Sequence, residues 1–194
     1  MKLPALLLSL MATTSIAQAD YVDESPLPEG WPQPGPYNEV SEKAYPAYRA
    51  AVSEAKKPGK SNWLFWSLFQ HIKKEEIAMT APVEMPMTAV EGKDGDALKE
   101  NGMAFLYRTP DQGKTGTAKK NVEVKDLPKI RVLSYAWNGP SSDEWVAKAR
   151  AALDAALKAR GATAQSYRLL GYNSPGVPNS RKTHELQAVL EVAD

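Results

Sequence analysis

Two histidines, six methionines and no cysteine bound the side-chain chemistry open to this chain. Without cysteine there are no disulfides, thiolate nucleophiles or cysteine-ligated metals. His71 falls near the edge of a helical apolar stripe. A neutral imidazole there can ligate a metal centre, or sit half-exposed and bonded to water or backbone. His184 opens the apolar run "HELQAVLEV" and poses the same choice. Two imidazoles alone make no structural zinc site, and no "HExxH" pattern occurs. Glu75, Glu76 and Glu84 stand in settings that read as solvated. Glu185 lies inside an apolar strand, where a buried carboxylate can act as a base or hold a partner's backbone. No serine occupies a "GxSxG" elbow, and no glycine-rich phosphate loop is present.

The segment "IAMTAPVEMPMT" (77–88) alternates apolar and polar residues with strand periodicity. Alternation sets Met79, Met85 and Met87 on one side, where thioethers fill gaps against aromatic rings. The pair in "MPM" also resembles a small copper(I) thioether site. Pro82 and Pro86, lacking N–H groups, are expected to face solvent and protect a sheet edge.

Those residues need elements to hold them. "SNWLFWSLFQHIKKEE" (61–76) reads as a helix capped by Ser61 or Asn62, with Leu64, Phe65, Leu68, Phe69 and Ile72 on its core stripe. Trp63 and Trp66 fall outside that stripe. Their large flat faces are left for a ligand, for the chain's own N-terminal segment or for a second subunit. "PSSDEWVAKARAALDAALKARG" (140–161) is an alanine-rich helix, with Ser141 and Glu144 as a capping box and Gly161 as its stop. Strands are expected over 39–52 (with Pro46 at an edge or kink), 77–88, 103–109, 122–125, 129–139, 165–173 and 184–192. The order strand, helix, strand, loop, strand occurs twice. It predicts an α+β body with a curved antiparallel sheet and both helices laid against it.

The first residues, "MKLPALLLSLMATTSIAQAD", have a positive start, an apolar run and a small-residue cleavage site. They predict a signal peptide over 1–19, cut between Ala19 and Asp20, and a periplasmic or secreted protein with no stable membrane insertion once it is removed. Lys2 is the one charged residue removed, leaving 23 basic and 23 acidic side chains. That neutrality supplies no electrostatic drive toward nucleic acid. Residues 20–38, rich in proline and glycine, read as an extended, solvated tail, with docking of Trp31 onto the body as the alternative. Residues 39–194 are left as one domain.

"IAMTAPV" (77–83), "GYNSP" (171–175) and "HELQAVLEV" (184–192) resemble the signature segments of the SOUL haem-binding protein family. "EKAYPAYRAA", "LFWSLFQHI" and "IRVLSYAWNG" resemble its first strand, its first helix and the start of its second half. The resemblance implies duplicated βαββ-type halves forming a distorted antiparallel barrel flanked by two helices, similar to bacterial effector-binding domains. It also implies non-covalent binding of haem or another tetrapyrrole, without redox catalysis, as a carrier, buffer or scavenger. Where some members are thought to carry an axial histidine, the matching position here is Ala44, so apolar contact is the implied binding mode. Trp63, Trp66, His71, Met79 and Tyr172 are the candidate tetrapyrrole-binding residues, with His71 the candidate axial ligand. Arg49, Lys73, Lys74 and Arg131 are candidate partners for propionates. The other readings are a domain for a different amphipathic small molecule, and an enzyme using Glu185 in the cavity.

Overall fold

The structure is a computed structural model that describes residues 21–59, 63–91, 97–119 and 121–190. The expected export signal, the expected helix caps Ser61 and Asn62, and part of the 91–102 loop lie outside the described residues. The strands are β1 (Val40–Tyr45), β2 (Tyr48–Glu54), β3 (Val83–Val90), β4 (Ala97–Glu100), β5 (Gly102–Leu106), β6 (Gly116–Lys119), β7 (Val122–Leu127), β8 (Ile130–Asn138), β9 (Ser166–Gly171) and β10 (Thr183–Val189). The helices are α1 (Leu64–Lys74) and α2 (Asp143–Ala159). All ten strands join one antiparallel sheet, in the order β1-β8-β10-β9-β3-β5-β2-β7-β6, with β4 beside β3. The α+β class and the two-helix layer match expectation.

Three local expectations fail, each for a physical reason. The stretch 39–52 is two strands, because the chain leaves one end of the sheet at Tyr45 and enters near the other at Tyr48. A link so short draws the two ends together, so the sheet must curl. Pro86 in β3 and Pro82 just before it guard no edge, since β3 lies between β9 and β5. Pro82 is buried, and Pro86 sits where pairing passes from β5 to β4, its carbonyl accepting from the Asn101 N–H at 2.8 Å. A residue without an N–H is tolerated at such a break. Helix α2 begins after Ser142, without the expected side-chain capping bond. Acidic Asp143 and Glu144 in its first turn and Lys158 in its last complement the helix dipole instead. Gly161 does end it, at φ +62°, where the left-handed backbone favours glycine.

Curling gives the sheet two faces. The outer face carries both helices. Leu64, Leu68 and Ile72 of α1 pack on Ala51, Phe105 and Val124. Val146, Ala149, Leu153 and Leu157 of α2 pack on Leu133, Trp137, Leu169 and Leu186. The methionines serve this layer, Met79 and Met85 under α1, Met85 and Met87 under α2. The inner face is covered by the N-terminal segment. Trp31, only 7 % exposed, sits among Tyr45, Tyr48, Leu106, Leu170 and Tyr172. The expected solvated tail is therefore a packed strap. A buried indole and a run of backbone bonds outweigh the freedom of a chain stiffened by five prolines between residues 21 and 38.

Candidate functional site

Helix α1 turns Leu64, Leu68, His71 and Ile72 inward. What remains outside is aromatic. Among the described residues the exposed large apolar side chains are Trp63 at 81 %, Trp66 at 56 % and Phe69 at 37 %, all on one short segment. Half-buried Phe65 ties them to the body, edge-on to Phe105 at 5.1 Å and stacked on Phe69 at 6.0 Å. Trp66 meets both phenylalanines edge-on, at 5.8 and 6.0 Å. Beside this shelf runs a groove of about 130 Å³ lined by Phe65, Met79, Val83, Tyr172 and the loop to Pro175, with Glu24 and Ser25 of the strap on its other wall.

Trp66, Met79 and Tyr172, far apart in sequence, thus border one surface, with Trp63 at its start. His71 does not join them. It lies about 140° around the helix from Trp66 and is buried, its Nε2 2.9 Å from the hydroxyl of Tyr107. Burial, and then the charge of Glu75, push that phenol up to about 12. His184 is also inside, its ring stacked on Trp137 at 5.6 Å, and burial pushes it down to about 4. Of the four candidate rim cations, Arg49 is engaged by Asp126 and the carbonyls of Gln112 and Gly113. Arg131 pairs with Glu42, and Lys74 with Glu75 at 3.5 Å. Exposed Lys73 follows Trp66 by seven residues, and so along the same stripe. The shelf fits a flat apolar macrocycle with an anionic edge. It offers iron no imidazole, and its one sulfur is Met79.

The inner face holds a second constellation, much of it unmarked by sequence reasoning. Glu185 is fully buried. One of its oxygens accepts from the Gly35 N–H at 2.7 Å and from Lys43 Nζ at 2.5 Å. The other accepts from Ser134 at 3.1 Å, Tyr172 at 3.3 Å and Gln187 at 2.8 Å. Gln187 in turn accepts from Arg168 Nε at 2.9 Å, and Arg168 Nη1 donates to Glu84 at 2.9 Å and to Tyr48 at 3.0 Å. Glu84, expected to be solvated, is buried in this chain of bonds. Burial works against the Arg168 charge, but Glu84 and the surrounding phenols outweigh it and hold the guanidinium above its ordinary value. Burial, then the Glu185 charge, pushes the Tyr172 phenol well up. Five donors saturate Glu185, leaving it no lone pair with which to take a proton from a substrate. Arg168 was legible as a lone cation at the buried period of "SYRLLGY", and Lys43 by its alternation with Tyr45. Trp31 carried no periodic signal.

Among the described residues no group of three histidine or acidic side chains is placed to hold a metal ion, and no helix is long and apolar enough to cross a membrane. The family model described as "SOUL heme-binding protein" matches residues 35–188. Comparison with curated proteins returns no match. Among solved structures, the EcmrR C-terminal domain superposes with a TM-score of 0.60 at 16 % identity, covering 80 % of this chain and 98 % of that one. EcmrR in a DNA complex gives 0.60 at 15 %, and there this chain, 79 % covered, spans only 58 % of the longer protein. A structure described as a hydrolase from Listeria innocua gives 0.55 at 13 %, covering 80 % and 93 %. At such identities the likeness is one of fold.

Proposed function

The chain belongs to the SOUL heme-binding protein family, and from that premise we propose that it binds haem or a related tetrapyrrole non-covalently on the aromatic shelf of α1. In this reading it is an exported carrier, buffer or scavenger. The supporting observation is the exposure of Trp63, at the cap of α1, together with Trp66 and Phe69 on it, beside a groove. Isolated exposed apolar residues are ordinary, whereas a contiguous aromatic patch marks a binding surface. Trp66 and Phe69 would lie against the macrocycle, Met79 and Tyr172 would border its edge, and Lys73 would meet a propionate. Bound haem would bring its own iron. The chain's part is to offer apolar area and keep histidine away from it. The saturated Glu185 supports a binding protein over an enzyme. Duplicated halves and a barrel-like curl complete the reading.

The test is a haem titration of the mature protein followed at the Soret band. We expect a saturable shift at one equivalent, weakened at least tenfold by Trp66→Ala, with His71→Gln leaving the spectrum unchanged. A folded protein that gives no saturable shift would defeat the tetrapyrrole reading. Thermal stabilisation by a smaller amphipathic ligand would then favour the narrower groove as the site.

A further inference from the structure

The strap lies across the inner face from Tyr21 to Asn38 without contributing a named strand to the sheet. Its fastenings are spaced along it. The Asn173 side chain donates to the Val22 carbonyl, Ser174 to Glu24, the Ala81 N–H to Pro26, and Lys43 to Gln33. Gly35 donates to Glu185. In the middle, Trp31 fills an aromatic box, edge-on to Tyr45 at 4.7 Å and to Tyr48 at 5.2 Å, with the Arg168 guanidinium 5.6 Å from its ring.

The fit is incomplete. Trp31 Nε1 and Arg168 Nη2 are both buried without a hydrogen-bond partner, as is the hydroxyl of Tyr21 where that ring meets Tyr172. A buried donor left unsatisfied has lost its water and gained nothing in return. Arg168 is itself 3 % exposed and its guanidinium lies over the rings of Trp31 and Tyr45, so its orphan N–H is enclosed with the box rather than at the surface. The charges beneath are already paired, Arg168 with Glu84 and Lys43 with Glu185. An added full charge would stand uncompensated, so the missing partner is a neutral acceptor.

We propose that the inner face is a second binding site, for a planar aromatic molecule bearing a carbonyl, and that the strap carrying Trp31 is its resident and exchangeable occupant. The proposal does not rest on the tetrapyrrole reading, since its anchors Trp31 and Arg168 lie on the inner face, although Tyr172 and the strap's Glu24 and Ser25 also line the groove beside the shelf. A guest whose ring takes the place of the indole and whose carbonyl meets Arg168 Nη2 satisfies a donor that Trp31 cannot. Because the strap precedes the first strand, its release breaks no sheet pairing between named strands.

Indole-3-carboxaldehyde and plain indole are the probes, applied to the mature chain and to its Trp31→Ala variant. Trp31→Ala should bind both saturably, with a rise in melting temperature, and the aldehyde at least fivefold more tightly. In the unaltered chain, saturating aldehyde should speed cutting at Glu29 by a glutamate-specific protease at least threefold. No binding to folded Trp31→Ala, or equal affinity for the two probes, overturns the site. Binding to Trp31→Ala with no faster cutting of the unaltered chain overturns the exchange. If Trp31→Ala does not fold, Trp31→Phe, which opens a smaller space, is read by the same criteria.

Discussion

Burial beside Trp137 pushes the His184 imidazole down to about 4, so the folded protein holds that ring neutral at pH 7. An unfolded chain takes up the same proton near pH 6.5. Between those values the unfolded state binds more protons, and stability therefore rises with pH. The contribution is complete above about pH 6.5 and is lost as pH falls toward 4, a difference of about 3 kcal/mol. Urea unfolding at pH 7.5 and 4.5 should show His184→Phe losing less stability than the natural chain by roughly that amount. Equal losses would mean the ring is not desolvated. Glu185 makes a different prediction. Lys43 and Glu185 form a buried pair at 2.5 Å, with side chains 7 % and 0 % exposed. Glu185→Leu strands an ammonium and should cost about 3–5 kcal/mol, much of it recovered by adding Lys43→Met. A double variant as unstable as the single would show that the carboxylate's other donors, not the ion pair, carry the effect.

Among the elements, the strap and α1 use tryptophan in opposite ways. Trp31 is enclosed by aromatic rings, whereas Trp66 lies mostly in water. Denaturation should therefore find Trp31→Ala destabilised by about 3–5 kcal/mol. Trp66→Ala should stay within about 0.5 kcal/mol of the natural chain while losing ligand affinity. Similar stability losses for both would contradict the burial described. The "GYNSP" segment gains a physical role at this scale. Asn173 accepts from the Thr183 N–H at 2.7 Å, closing the β9–β10 connection, and donates to the strap at Val22. Tyr172 turns inward to Glu185, and Ser174 holds Glu24 below its ordinary carboxylate value by backbone and hydroxyl bonds. One short loop thus joins the shelf, the inner network and the strap.

For the whole molecule, the two-residue passage from β1 to β2 requires strands separated by five others in the sheet order to meet. The sheet then has an inner and an outer face. The helices cover the outer face, the strap covers the inner one, and the α1 shelf is left open. Residues 1–19 are expected to be an export signal, with the proposed cut falling just ahead of the strap. Mass spectrometry of protein recovered outside the cytoplasm should find Asp20 as its first residue. A chain beginning at Met1 in that fraction would refute the cleavage site.

Periodicity alone was enough to indicate both helices, most of the strands and the surplus of Trp63 and Trp66, because a helix stripe or a strand alternation is a local property of a dozen residues. The absence of cysteine and of catalytic motifs was equally direct. Three-dimensional packing decided the rest. Whether Pro86 lies at an edge depends on which strands pair beside it. Whether His71 is a ligand depends on Tyr107, 36 residues away. Trp31 stands in a segment without period, and its burial exists only because a curled sheet presents Tyr45, Tyr48 and Arg168 to it together. Local pattern records what one face of an element prefers, and the partner that satisfies the preference is chosen by contacts distant in the chain.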